Sequence, residues 1–249
     1  IEQAIAREAL RLSFIQHKSF AVSLKGVQSQ RTISDAFDQS GSGETLVNMM
    51  ELDLLVGSGG VLSHAPRREQ AMRMLIDAFV PEGITQLAVD SIFMMPQLGV
   101  MANIDNEDLA ESARKAAIEV FENDCLIRLG TCIAPVGKSK PGSILLTAEF
   151  ELPGEGKKTI ELRAGEIMVI PAPFEPIKAK LTPAKNMAIG KEKGEAFDTV
   201  VFGGTVGLIL DGRGRPFELS TEKAKRIENL TKWSKSTNEY PDSTVKEGE

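Results

Sequence analysis

The run Leu54-Leu55-Val56-Gly57-Ser58-Gly59-Gly60, with Pro66 and an apolar pattern over residues 67–79 behind it, constrains this chain more than any other feature. A β-compatible segment at 51–56 delivers the chain into a turn bearing three glycines. Pro66 then stands where a helix can begin, because its fixed φ and missing N–H suit a first turn. Over 67–79, Ala71, Met74, Leu75 and Ala78 recur at helical spacing, with Arg67, Arg68 and Glu69 expected to be exposed near the start. The order is strand, glycine turn, helix. A second unit repeats it: a strand over 84–89 closed by Asp90, a Met-rich stretch ending at Pro96, and an alanine-rich helix over 109–121. Upstream, Ile5, Ala9 and Leu12 predict a helix over 1–14, partial alternation predicts a strand over 19–27, and Ser40-Gly41-Ser42-Gly43 predicts a turn or loop. Strands alternating with helices predict a layered α/β fold.

Beyond Cys125 the texture changes. Short strands are expected at 145–152, 159–162, 166–170 and 177–181, punctuated by Pro153-Gly154, Gly165 and the prolines of 171–176. Segments 199–202 and 206–210 flank Gly203-Gly204 and predict a hairpin, a helix follows over 221–234, and the polar tail after Tyr240 is expected to be disordered. The implied division is an α/β unit over 1–124, a β-rich subdomain over 125–219, and a C-terminal helix and tail over 220–249.

Composition removes several functions. The 35 acids and 29 bases leave a formal charge of −6, and Lys138, Lys140, Lys157 and Lys158 form only a loose basic group without an aromatic ladder. Nucleic acid is therefore not an expected partner. Apolar runs fall far short of the roughly 20 residues that a bilayer-spanning helix needs, so no membrane partner is expected and the reading is soluble and cytoplasmic. Cys125 and Cys132 have neither a second pair nor CxxC spacing, and His17 and His64 are the only histidines. No metal site is written there. The chain opens Ile1-Glu2-Gln3 without an initiator Met, which reads as a cut from a longer chain.

Chemistry concentrates at Gly57, Ser58, Gly59 and Gly60. A hydrophobic strand leading into a turn without β-carbons lets backbone amides approach a flat or anionic ligand, and a nucleotide fits that geometry. The same turn also suits a tight strand-to-helix connection with no ligand. It lacks the Walker lysine and serine, and its spacing is not GxGxxG. Asp211-Gly212-Arg213-Gly214-Arg215-Pro216 offers two guanidiniums that can grip a phosphate or a partner carboxylate. A turn with Arg213 paired to Asp211 explains it equally well. Asp90, at a strand's carboxyl end, suits either a functional group or a helix cap. Ser63, His64 and Asp90 make a triad on paper but without a GxSxG elbow. The nine methionines are read as core gap-fillers.

The apolar-Gly-x-Gly-Gly-x-x-x-x-x-Pro run resembles the adenosine-binding motif of the actin, sugar kinase and Hsp70 superfamily. Within it the chain is most similar to the MutL or GlmL family, which is unrelated to the mismatch-repair protein sharing the first name. The other matching stretches are residues 81–90, Pro96-Gln97-Leu98-Gly99, Leu129-Gly130-Thr131 and, most distinctive, residues 203–216. The resemblance implies a ribonuclease-H-like half of an actin-like ATPase with an extra β-rich region. It also implies ATP as ligand, with Gly57, Gly59 and Gly60 at adenosine and Ser58 a weaker candidate, and magnesium held through the other half. The implied role is as a reactivase or chaperone of an adenosylcobalamin-dependent mutase, of the glutamate mutase or ornithine aminomutase kind, in a complex whose oligomeric state is open. The superfamily's Asp-x-Gly phosphate hairpin has no counterpart here, so the isolated piece is expected to hydrolyse ATP poorly or not at all. A non-catalytic partner-binding module is the alternative.

Overall fold

The computed structural model describes residues 1–21, 46–106 and 108–240. Its strands are β1 (Leu54–Gly57), β2 (Gly83–Asp90), β3 (Leu126–Ala134), β4 (Val136–Gly137), β5 (Ile144–Leu152), β6 (Gly156–Arg163), β7 (Ile167–Ile170), β8 (Pro176–Pro183), β9 (Met187–Ala188), β10 (Phe197–Phe202) and β11 (Gly207–Asp211). The helices are α1 (Glu2–Phe20), α2 (Gly60–Ser63), α3 (Arg68–Phe79), α4 (Met95–Ala102), α5 (Ala110–Val120) and α6 (Lys223–Ser236). A mixed five-stranded sheet runs β1-β2-β3-β11-β7, and an antiparallel four-stranded sheet runs β10-β8-β5-β6. β4 and β9 pair separately.

Strand periodicity explains the layering. In β11, Leu208 and Leu210 join a core with Ile133, Phe150, Ile177 and Leu181, which fills the space between the two sheets. Ile209, on the opposite face of β11, joins Leu87, Val89, Leu129 and Cys132 beneath Leu75 of α3 and Trp233 of α6. All five residues of β11 are buried, as expected of a strand covered on both faces. The layers are helices, mixed sheet, antiparallel sheet. Each fully buried Leu or Ile contributes roughly 1.5–3 kcal/mol relative to exposure, so this double coverage stabilises β11 and its neighbours from both faces.

Helix α3 departs from the amphipathic expectation. Residues 70–78 are buried without a break, so the helix is covered all round rather than on one stripe, and Arg67, Arg68 and Glu69 are half-buried rather than exposed. Its polar members Arg73 and Asp77 therefore lie inside the protein. The helix expected over 1–14 is present and continues to Phe20, so Ser19 and Phe20 are helical and not the start of a strand. The remainder of that expected strand, the Ser40–Gly43 loop and the tail after Tyr240 lie outside the described residues.

Two further differences have a clear cause. β3, a central strand, was not anticipated, because its nine residues carry Arg128, Gly130 and Thr131 and begin straight after a π-helical turn at Phe121–Cys125. The expected hairpin at Gly203-Gly204 does not form: β10 pairs with β8, whereas β11 pairs with β3 and β7 in the other sheet. The two glycines carry the chain across, with Gly204 N donating to Ala172 O at 2.9 Å and Thr205 N to Arg128 O at 3.0 Å. A Cβ at Gly204 would stand 2.6 Å from Arg128 O, so the crossing leaves no room for a side chain. Since β3, β7 and β11 share a sheet with β1 and β2, the five-stranded sheet spans residue 125.

Both cysteines are free and buried. Burial pushes the Cys132 thiol up to about 12, and Asp211 nearby adds to the effect. We expect Cys132 in the folded protein to ignore an aromatic disulfide reagent at pH 8 and to react once denaturant unfolds the chain. Rapid native-state labelling, mapped by peptide mass, would show that this core opens.

Candidate functional site

β1 and β2 run parallel with Gly57 level with Val89, so both strands end at one sheet edge. Chain leaving such an edge is free of ladder bonds, which is why α/β proteins collect ligand contacts there. Gly57 itself faces the protein: a Cβ would stand 2.9 Å from Leu62 Cδ1 and 3.0 Å from Leu75 Cδ2. Its missing side chain lets α2 and α3 settle on the strand. Gly59 and Gly60 are different. Gly59 has φ +100°, which L side chains rarely adopt, and among the described residues nothing beyond the adjoining chain lies within 4 Å of a Cβ built at either residue. The main chain there is bare.

Ser58 ties the turn to β2, its Oγ donating to Asp90 Oδ2 at 3.3 Å. Asp90 is fully buried, and its carboxylate also accepts from Met94 N at 3.1 Å and Met95 N at 2.9 Å. It caps the start of α4 and holds Ser58 in place. Ser63 Oγ donates to the Asp90 main-chain carbonyl, and Arg68 Nη1 donates to Ser63 O at 2.8 Å. Ser63 is thus spent on structure while His64 is exposed at the end of α2, so no nucleophilic triad is assembled. Sequence reading places Asp90 at a strand end but not beside Ser58, because that contact depends on the parallel register of β1 and β2, which only the fold sets.

The Asp211–Pro216 stretch is turned inward. Arg213 Nε and Nη2 donate to Asp211 Oδ1 and Oδ2, both at 2.9 Å, and its Nη1 lies 2.7 Å from Asp77 Oδ1. Arg215 Nη2 donates to Asp211 Oδ2 at 3.1 Å and its Nε to Pro81 O at 2.8 Å. Asp77 also takes Arg73 at 3.1 Å and Arg7 at 2.9 Å. The Arg213 guanidinium stacks 4.4 Å from the Phe217 ring centre and 5.2 Å from that of Trp233. Burial alone would raise the Asp211 pKa, yet Arg213 and Arg215 hold it well below the usual carboxylate range. Asp77 follows the same balance: burial raises it, and Arg213, Arg73 and Arg7 together bring it below its ordinary value. Burial opposes the charge of Arg213, but Asp211 and Asp77 outweigh it and raise its pKa. These guanidiniums bind the protein's own carboxylates. The sequence signal for the cluster's other half was the pair Arg73 and Asp77, four residues apart on an otherwise largely apolar helix.

His17 is exposed on α1, far in sequence from the glycine turn, and no group of three or more His, Cys, Asp or Glu side chains suited to a metal occurs among the described residues. No helix among them is long and apolar enough to cross a membrane.

Fold and site together define a layered α/β protein whose bare glycine turn leaves the carboxyl edge of a parallel strand pair. The family described as MutL protein, which is the GlmL type rather than the mismatch-repair one, matches residues 1–122. No curated protein and no solved structure matches the chain.

Proposed function

We propose that this chain supplies the adenosine-binding half of an actin-like, ribonuclease-H-like ATPase. In this reading, Gly59, Gly60 and Ser58 lie against the nucleoside of ATP. Gly57 contributes by keeping α2 close to the strand. The observation that carries the reading is the open main chain at Gly59 and Gly60, beside the partly buried Ser58–Asp90 bond that fixes the turn. Phosphate and magnesium contacts come from the other half that the family implies. ATP bridging two halves biases their closure, since a ligand shifts an equilibrium by its differential affinity for the two states. Closure passed to a bound adenosylcobalamin-dependent mutase would let inactivated cobalamin leave.

Calorimetry of the intact gene product with magnesium-ATP tests the site. Gly60→Asp is the informative variant: no atom crowds the position and its backbone conformation is open to any residue, so the fold is retained, while a carboxylate there repels the nucleotide. We expect at least a tenfold loss of ATP affinity, about 1.4 kcal/mol, with an unchanged melting temperature. Equal affinity in variant and wild type removes the glycine turn from the site. Co-purification with the mutase tests the partner, and absence of association in both ATP-bound and nucleotide-free states removes the reactivase role. A partner-binding module without nucleotide is the second reading. It is favoured by α4, which buries only Leu98 and leaves Met95, Val100 and Met101 exposed beside Ile92 and Phe93. It requires mutase binding with no heat from ATP.

A further inference from the structure

At the opposite end of β1 from the glycine turn, the two sheets part to form a cleft of about 420 Å³, within the range of small-ligand sites. One wall belongs to the five-stranded sheet. Gln86 stands level with Leu54 of β1 and opposite Thr131 of β3, and Gln86 N donates to Asp53 O at 2.8 Å, which places Asp53 beside it at the cleft. The other wall is β10 and the segment after β9, contributing Thr199 and Lys191. The walls are pinned together. Thr131 Oγ1 donates to Phe202 O at 2.7 Å, and Gly190 N donates to Met50 Sδ at 3.1 Å. Between them Ile84, Ile189 and Val201 supply an apolar lining.

The side chains of Asp53, Gln86, Thr199 and Lys191 line one cleft, and none of them hydrogen-bonds or ion-pairs with another described residue. Asp53 and Lys191 carry opposite charges on opposite walls and do not pair with each other. A ligand with one charge would satisfy one wall and leave the other facing its apolar body. A ligand with two opposite charges satisfies both, since charge-assisted hydrogen bonds are the strong ones.

We infer that this cleft binds a small zwitterion with an apolar body, its cation at Asp53, its anion at Lys191, and Gln86 and Thr199 completing the hydrogen bonds. The site is separate from the glycine turn and does not depend on nucleotide binding there.

Titration of the full chain with three probes tests the assignment: L-leucine, 4-methylpentanoate, which lacks the ammonium, and 3-methylbutylamine, which lacks the carboxylate. Leucine is expected to bind saturably, with each single-charge probe about tenfold weaker or more. Asp53→Asn should weaken leucine and the amine about tenfold and leave the carboxylate probe unchanged, and Lys191→Met should weaken leucine and the carboxylate probe about tenfold and leave the amine unchanged. Both residues are exposed, so each variant is expected to melt with the wild type. Saturation by none of the probes, equal affinity for all three, or leucine binding that survives both substitutions combined would overturn the inference.

Discussion

Asp211→Asn is expected to lower the unfolding free energy by about 3–5 kcal/mol, the usual cost of removing one partner from a buried ion pair. The substitution keeps the side chain's shape and removes only its charge. Arg213 and Arg215 would then lose their shared carboxylate, leaving Asp77 to face Arg7, Arg73 and Arg213, with Glu239 4.0 Å from Arg73 as the other nearby carboxylate. The reference is Glu161→Gln, which breaks the 2.7 Å contact with Arg163 between side chains 48% and 46% exposed. That exposed pair should contribute less than about 1 kcal/mol. Urea unfolding of both variants at pH 7 measures the contrast, and equal losses would show that the cluster does not hold the fold. The pH dependence follows from the same geometry. Asp77 and Asp211 are both depressed in the folded state, so their stabilisation is fully present above the free-aspartate value near 3.9 and is lost as pH falls through the folded values. Wild-type stability should therefore drop on acidification below about pH 4, more steeply than that of the Asn variant, which has already lost one of the two titrating groups.

This cluster marks where sequence reading runs out. The strand–turn–helix order around Gly57 and the helix over 67–79 were legible because apolar spacing and a glycine-rich turn are local signals. The pairing of Arg213 with Asp211 was also legible, since both lie in one short stretch. Asp77 joining them was not: it is brought in by α3 packing on the face of the sheet where β11 ends, a contact across more than a hundred residues. The same limit explains the misread hairpin. Two β-compatible segments about a Gly-Gly pair look like a turn locally, and only the competition between β8 and β11 for partners decides that β10 goes elsewhere. At the candidate site, three glycines in one turn read alike in sequence. Their roles separate only when Leu62 and Leu75 are seen to fill the space at Gly57 and nothing is seen at Gly59 and Gly60.

The second large effect falls on glycines outside that turn. Gly207→Ala is expected to cost about 2–6 kcal/mol, combining backbone strain of about 1–3 kcal/mol with an overpacking cost of similar size. Gly207 has φ +118°, and a Cβ on it would land on the carbonyl oxygen of Ile170. Its partner across β3 and β11 is Gly130, with φ +142° and a Cβ that would land on the carbonyl oxygen of Gly207 itself. Three segments thus meet main chain to main chain at the start of β11, beside the glycine crossing at 203–204. The most distinctive stretch of the sequence is glycine-rich there because main chain packs directly against main chain. Gly60→Ala provides the contrast, because its Cβ meets nothing and it begins α2. Its effect should stay within about 1 kcal/mol, in the direction of helix propensity. Denaturant midpoints of the two variants separate the two kinds of glycine. If Gly207→Ala unfolds with the wild type, close backbone approach is not what excludes a side chain there.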